Sequence, residues 1–288
     1  MLPKTTNASQ QAEDLRRAQV RNALALLLDR KLPADDALSV MAWKAVQDQA
    51  QRSRDWPALA SVTVVPSGCD RLHRVLHTVA SSVIMAPNWT ATVSRSDVVA
   101  LPCPALSTVA PTESLAAFVG AGGVLITSGR AIERAALHAW LPSAGRLSPR
   151  RVRVRRTNLP EEQPLLPAVY IDGGSPRIDP EVLSRPGVQT LAVDAVTDEP
   201  LVVLAPAERG YILHSVPHWF QPNTGWFTEL ERGRVAANPW AAERWPGAQQ
   251  QLLGDLLAAD VMYGLLHEGM KAVQARTLRH ANSTEGSW

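Results

Sequence analysis

The length, composition and charge of the chain set the first limits on what it can be. Its 288 residues are 45% hydrophobic and 19% charged, which is typical of a globular protein with a sizeable core. The net charge of +2 excludes a strong overall attraction to nucleic acid, and we expect no membrane span because no run of about 18 apolar residues occurs. Two cysteines, Cys69 and Cys103, exclude a disulfide framework, so a reducing, cytoplasmic setting is expected.

Two amphipathic helices are predicted at the start of the chain. Apolar residues recur at helical spacing within residues 9–30 and again within residues 32–55. Asp35 or Asp36 is a candidate cap for the second helix, which Trp56 and Pro57 end. We therefore expect residues 1–58 to form an N-terminal helical hairpin whose apolar stripes pack on the main domain or on a partner.

The pattern then changes to short buried strands that alternate with helices. Strands are predicted in "SVTVVP", "DVVALP" and "VLITS", and the helix "TESLAAFVG" should end at Gly122 and Gly123. Strands that are apolar on both faces and alternate with helices predict an α/β fold with a parallel sheet covered on both sides. We expect the strands near residues 61–65, 97–101 and 124–127 to be mutually parallel in one sheet.

Residues 151–220 are predicted to be rich in strands, as an insertion within the domain. The segments "VQTLAVDA", "PLVVLAP" and "RGYILHSVP" are three candidates, and "AERG" between the last two indicates a hairpin turn. The alternation in "SPRRVRVRR" favours a solvated edge strand with arginines on one face, with anion contact as the alternative. A long amphipathic helix follows from residue 247, so the main domain should span residues 59–270, with a polar, disordered tail at 271–288.

Several of these motifs, in this order, resemble the class I glutamine amidotransferase-like superfold. They are "DVVALP", a helix that ends in "GG", the strand "VLITSG" and the later strand "GYILHSVPH". The resemblance is strongest to the ThuA-like proteins and to the trimerisation domain of some β-galactosidases, and it covers roughly residues 60–266. It implies a flavodoxin-like parallel sheet flanked by helices, and the N-terminal hairpin is not part of it.

The resemblance also implies a nucleophile where "VLITS" ends, because glutaminase members carry a cysteine there in an elbow such as "ICLGH". On that pattern Thr127 takes the place of the cysteine and Gly129 that of the glycine. A threonine hydroxyl needs a strong adjacent base, and no His-x-Glu pair occurs, since His267 and Glu268 are adjacent. The sequence therefore predicts a catalytically degenerate member that is not an enzyme.

Other candidate site residues lie near the predicted carboxyl ends of strands, where open α/β sheets bind ligands. Ser128 or Cys103 as a noncognate nucleophile, with His218 as its base, would make the protein a hydrolase, which is the alternative hypothesis. An inert buried thiol at Cys103 and a structural pair of His214 and His218 are the competing interpretations. Pro217 prevents the two histidines from sharing a metal on a helix, so we expect no metal and no cofactor.

Tryptophan is frequent, with nine residues against three Phe and three Tyr. Tryptophans in the loops near the expected rim either pack those loops or form a partner-binding face. The leading hypothesis is a non-enzymatic scaffold that binds a protein partner or small ligand within a larger bacterial complex; self-association stays open, and nucleic acid is not expected. The candidate ligand- or partner-binding residues are Thr127, Ser128, Gly129, His214, His218, Trp219, Trp226, Trp240 and Trp245.

Overall fold

The computed structural model describes a mixed nine-stranded sheet, a smaller two-stranded sheet and several helices. The described residues are 61–65, 82–86, 97–103, 112–133, 135–158, 168–171, 173–219 and 261–276, with the single positions 67, 70, 72, 73, 76, 80 and 258. The predicted hairpin at residues 1–58 lies outside the described residues, as do Trp226, Trp240 and Trp245.

Eleven strands and four helices make up the described elements. The strands are β1 (Val62–Val64), β2 (Val83–Met85), β3 (Val98–Leu101), β4 (Val124–Ser128), β5 (Ser143–Arg146), β6 (Arg150–Arg156), β7 (Ala168–Ile171), β8 (Pro176–Ile178), β9 (Gln189–Asp194), β10 (Pro200–Ala207) and β11 (Gly210–Ser215). The helices are α1 (Thr112–Gly120), α2 (Ala135–His138), α3 (Pro180–Leu183) and α4, over residues 261–276, and a 3₁₀ helix spans Gly129–Glu133.

One half of the large sheet is parallel. Its order is β2-β1-β3-β4-β11, and each neighbouring pair in this half runs parallel. Every residue of β1, β3, β4 and β11 is buried, which agrees with the uninterrupted apolar runs that predicted these strands. The expected parallel arrangement of strands near residues 61–65, 97–101 and 124–127 is confirmed.

The other half of the sheet is antiparallel, in the order β11-β10-β9-β6-β7. The strands β10 and β11 are joined by the two-residue turn Glu208–Arg209, with Glu208 at a φ of 52°. A turn of this length can connect only antiparallel neighbours, so the hairpin predicted from "AERG" makes the sheet mixed. The strands predicted as a β-rich insertion thus extend the parallel sheet as its antiparallel half. The expectation of an edge strand at residues 150–156 was wrong, because β6 lies between β9 and β7.

Helices cover the sheet, as their apolar spacing predicts. In α1 the buried residues Leu115, Phe118 and Val119 recur at helical spacing, and the helix ends before Gly122, whose φ is 105°. In α4, Gly269 lies against β11, since a Cβ there would meet Leu213 Cδ1 at 2.6 Å. The helix α4 continues through residue 276, past the boundary expected at 270, and residues 277–288 lie outside the described part.

Candidate functional site at the carboxyl ends of the parallel strands

The strand β4 ends in a sharp turn at Gly129, the first residue of the 3₁₀ helix. Gly129 has a φ of 50°, in the left-handed region that glycine tolerates best. A Cβ at this position would lie 2.9 Å from Cys103 Cβ and 3.0 Å from Cys103 Sγ. The strand-to-helix turn therefore has room only for a glycine, and it falls two residues after Thr127.

Ser128 immediately precedes this turn and is fully buried. Its hydroxyl donates a hydrogen bond of 2.6 Å to Asp70 Oδ2 and accepts one of 3.0 Å from the backbone N–H of Cys103. The two bonds fix the hydroxyl between the segment that follows β1 and the end of β3. Because its proton is directed at a carboxylate, Ser128 has the geometry of a structural linker.

Asp70 belongs to the site as well, although its sequence position did not predict it. Its carboxylate is fully buried. Its Oδ2 also accepts the backbone N–H of Trp219 at 3.0 Å, and its Oδ1 accepts that of Leu72 at 3.1 Å. A side-chain oxygen that accepts the backbone N–H two residues later is typical of a helix N-cap. Asp70 therefore caps the helical segment that contains residues 72 and 73. The one sequence signal that could have indicated this role is the position of an acidic residue between a buried strand and a helix.

Thr127 and His214 form a buried pair across β4 and β11. They are register partners in the two parallel strands, and Thr127 Oγ1 lies 2.9 Å from His214 Nδ1 in a hydrogen bond. Burial lowers the pKa of His214 to about 3, so its imidazole is neutral near neutral pH. His214 Nε2 is buried without a hydrogen-bond partner, which is consistent with a histidine held by its surroundings in the uncharged form.

Cys103 and His218 both face Gly129. Cys103 Sγ and His218 Nε2 lie within 3.7 Å of the point that a Cβ of Gly129 would occupy. The sulfur also accepts the backbone N–H of Arg130 at 3.3 Å, and both side chains are buried. Cys103 forms no disulfide among the described residues. The Cys103 thiol and the His218 imidazole therefore both lie next to the turn at Gly129.

Trp219 follows β11 and contacts the same group of residues through two hydrogen bonds. Its backbone N–H bonds Asp70, and its indole Nε1 donates to the carbonyl oxygen of Thr127 at 2.8 Å. The site residues predicted within the described part of the chain therefore converge, and Asp70 joins them. We call these eight residues the strand-end cluster: Asp70, Cys103, Thr127, Ser128, Gly129, His214, His218 and Trp219.

The described residues offer no obvious metal site and no membrane-spanning helix. No group of three or more His, Cys, Asp or Glu side chains among them is arranged to hold a metal ion. None of the helices in the same part of the chain is both long and apolar enough to cross a membrane.

Comparisons with known proteins give only distant similarities. No family model matches the chain, and no curated protein matches it. Among solved structures, an exo-β-1,4-mannosidase from Opitutaceae bacterium strain TAV5 is similar at 13% identity and a TM-score of 0.40, over 60% of this chain and 33% of the mannosidase. The chain thus corresponds to about a third of that enzyme's length.

Two further solved structures match over most of their own length. A cytoplasmic protein from Salmonella typhimurium LT2 is similar at 12% identity and a TM-score of 0.40, over 71% of this chain and 99% of that protein. A ThuA-like protein from Bacteroides uniformis is similar at 10% identity and a TM-score of 0.36, over 73% of this chain and 92% of that one. Similarities at this level assign no activity to the chain.

Proposed function

We propose that the protein is a non-enzymatic, catalytically degenerate scaffold of the amidotransferase-like type with a flavodoxin-like parallel core. It binds a protein partner or a small ligand at the strand-end cluster, as a cytoplasmic component of a larger bacterial complex. The observation that carries the proposal is that Thr127, which stands where glutaminase members have their cysteine, is fully buried with its hydroxyl hydrogen-bonded to His214. A threonine hydroxyl at this position needs a strong adjacent base before it can act as a nucleophile.

The hydroxyls of Thr127 and Ser128 support the proposal because each already forms a hydrogen bond with a buried side chain. Ser128 donates to Asp70, and Thr127 shares a hydrogen bond with His214. Both residues are fully buried, so neither hydroxyl is presented at the surface as a nucleophile. A hydroxyl nucleophile also needs a base that accepts its proton near neutral pH, and the lowered pKa of His214 makes that imidazole a poor one.

The same bonds favour a binding role. Asp70 is tied to Ser128, Leu72 and the Trp219 amide, and the Trp219 indole is tied to β4. Side chains that are already fixed lose little conformational freedom when a partner binds, which lowers the entropic cost of association. The proposed partner is a protein or a small ligand, with self-association as one form of it; no membrane or nucleic acid is involved.

A hydrolase that uses Cys103 as nucleophile and His218 as base is the second candidate. Its support is the approach of Cys103 Sγ and His218 Nε2 to one point beside Gly129, together with the Arg130 N–H on the sulfur. A backbone donor and a nearby imidazole both favour the thiolate form that attacks carbonyls. Ser128 is a weaker nucleophile candidate, because its bonds join it to Asp70 and the Cys103 amide instead of to a histidine.

Pre-steady-state hydrolysis of p-nitrophenyl acetate tests the two candidates against each other. The wild-type chain, Cys103→Ala and His218→Ala should all release p-nitrophenol at the same slow rate, without a burst. A burst equal to the protein concentration that disappears in both variants would replace the scaffold proposal with the thiol hydrolase. Cys69→Ala is the matched control, because it removes the other thiol of the chain.

A further inference from the structure

The strand β6 changes its neighbour halfway along its length. Residues Arg150–Arg153 pair with β7, and residues Val154–Arg156 pair with β9 on the opposite side. The strand β9 ends at Asp194, and the chain then turns through residues 195–197 toward β10. The last backbone bond between them joins the Ala195 N–H to the Arg153 carbonyl at 2.8 Å.

A cleft of about 440 Å³ lies where β9 has turned away from β6. This volume is within the range of small-molecule sites in proteins. Its lining combines strand residues of β6 with the end of β9 and the turn that follows it, namely Arg150, Arg151, Val152, Arg153, Asp194, Val196 and Thr197. Three of these residues carry a positive charge and one carries a negative charge.

The single carboxylate of the lining is already satisfied. Asp194 accepts the backbone N–H of Val196 and the hydroxyl of Thr197, each at 3.0 Å, and Arg150 Nη2 at 3.3 Å. Only 5% of its side chain is exposed. Arg150 is held in turn by Glu199, which also pairs with Arg177. Asp194 therefore balances Arg150 and does not neutralise the charge of Arg153.

Arg153 differs from the arginines that follow it on the same strand. Arg155 pairs with Asp198, and Arg156 pairs with Glu268 of α4. Arg153 is exposed and forms no ion pair with any residue that the structure describes. Since the whole chain has a net charge of only +2, the excess at the cleft is a local feature.

We propose that this cleft is a binding site for a small anion that carries a carboxylate or phosphate group. Guanidinium groups match both anions through paired N–H donors, and a partly enclosed cleft strengthens such bonds relative to open water. A polyanion spread along the surface would contact Arg155 as readily as Arg153, whereas a small anion in the cleft would contact Arg153 and not Arg155. The site lies on the antiparallel half of the sheet, so the proposal does not rest on the function proposed for the strand-end cluster.

Calorimetric titration of the full chain with inorganic phosphate, and separately with succinate, tests the proposal. Sodium chloride at the same ionic strength is the control for general screening. We expect saturable binding of at least one probe and none of chloride, and the probe that binds identifies the preferred anionic group. Binding of neither probe, or binding no stronger than that of chloride, would overturn the proposal.

Two variants of the same strand locate the site. Arg153→Gln should weaken binding about tenfold or more, because a charge-assisted hydrogen bond is lost. Arg155→Gln makes the same change of charge on the same face of β6, outside the cleft lining, and should leave the affinity nearly unchanged. Equal weakening by both variants would show general electrostatic attraction instead of a site.

A measurement on the wild-type chain does not depend on how the variants fold. When the same anions are titrated into the wild-type chain and followed by NMR, the backbone amides of Val152, Val196 and Thr197 should show the largest chemical-shift changes. Shifts concentrated elsewhere would overturn the assignment of the cleft. Tighter binding of a single-stranded DNA oligonucleotide, weakened equally by both substitutions, would contradict the small-anion proposal and indicate a nucleic-acid surface.

Discussion

The Ser128 hydroxyl donates a 2.6 Å hydrogen bond to the buried carboxylate of Asp70, although 58 positions separate the two residues in the chain. The same carboxylate oxygen accepts the backbone N–H of Trp219, which lies 149 positions from Asp70 in the chain. One buried carboxylate thus joins the ends of β1, β4 and β11 at the edge where α/β proteins bind ligands. The neighbouring turn residue, Gly129, has no side chain to present there.

Asp70→Ala should destabilise the fold strongly. The substitution leaves the Ser128 hydroxyl and the amides of Leu72 and Trp219 without their buried acceptor. Hydrogen bonds to a charged group contribute about 1.5 to 3 kcal/mol each, so we expect the free energy of unfolding to fall by at least about 3 kcal/mol. Urea denaturation measures it. Asp97→Ala is the control, because Asp97 is exposed and does not have a positive φ, and it should change the free energy of unfolding little. Equal effects of the two substitutions would contradict the linking role of Asp70.

Gly129→Ala should cost more stability than the same change at another left-handed glycine. Gly129 has a φ of 50° and an added Cβ would lie 2.9 Å from Cys103, whereas Gly145 has a φ of 83° and nothing within 4 Å. Left-handed strain alone costs about 1 to 2 kcal/mol, and overpacking adds about 1 to 3 kcal/mol. Thermal melts of both variants compare the two costs. A loss at Gly129 no larger than that at Gly145 would contradict the close approach of Cys103.

Protonation of His214 should make the fold less stable in mild acid. Burial lowers the pKa of His214 from 6.5 to about 3, so between these values the unfolded chain binds a proton that the folded chain does not. The free energy of unfolding should therefore decrease as the pH falls from about 6.5 toward 3, by about 2 kcal/mol between pH 7 and pH 5.

His214→Gln isolates this contribution, because glutamine retains hydrogen-bonding groups but does not titrate. Urea denaturation at both pH values should show a smaller pH dependence in the variant than in the wild-type chain, by about 2 kcal/mol. Equal pH dependence in the two proteins would mean that His214 is not buried in its neutral form.

The Cys103 thiol should react slowly with a disulfide reagent in the folded protein. Only 5% of the residue is exposed, and thiols buried in this way are inert compared with exposed ones. In a Cys69→Ser background, we expect modification of the native chain to be far slower than modification of the urea-unfolded chain. Rapid native reaction that is lost in His218→Ala would favour the thiol hydrolase instead.

The parallel half of the sheet was predictable because its strands are continuous apolar runs, as in Val98–Leu101 and Val124–Ser128. The hairpin at Glu208–Arg209 was predictable from its turn residues. The alternation in Arg150–Arg156 predicts a strand but says nothing about its neighbours, so the change of partner that forms the cleft was not foreseeable.

The strand-end cluster was predicted in part for a similar reason. Thr127, Ser128 and His218 follow strands whose carboxyl ends meet at one edge, and that rule placed them near each other. Asp70 was missed because its partners come from three distant segments, and no local pattern encodes such contacts. Gly129 was placed correctly as the glycine of the turn, because a sharp strand-to-helix turn needs a residue that tolerates a positive φ.

Intact-protein mass spectrometry after incubation with an activated glutamine-analogue electrophile tests most directly whether the turn after β4 lacks a nucleophile. We expect the native wild-type chain to keep its unmodified mass, because the hydroxyls of Thr127 and Ser128 are buried and hydrogen-bonded. A single covalent adduct that peptide mapping places on Thr127, Ser128 or Cys103, formed by the folded chain and absent after unfolding, would contradict it.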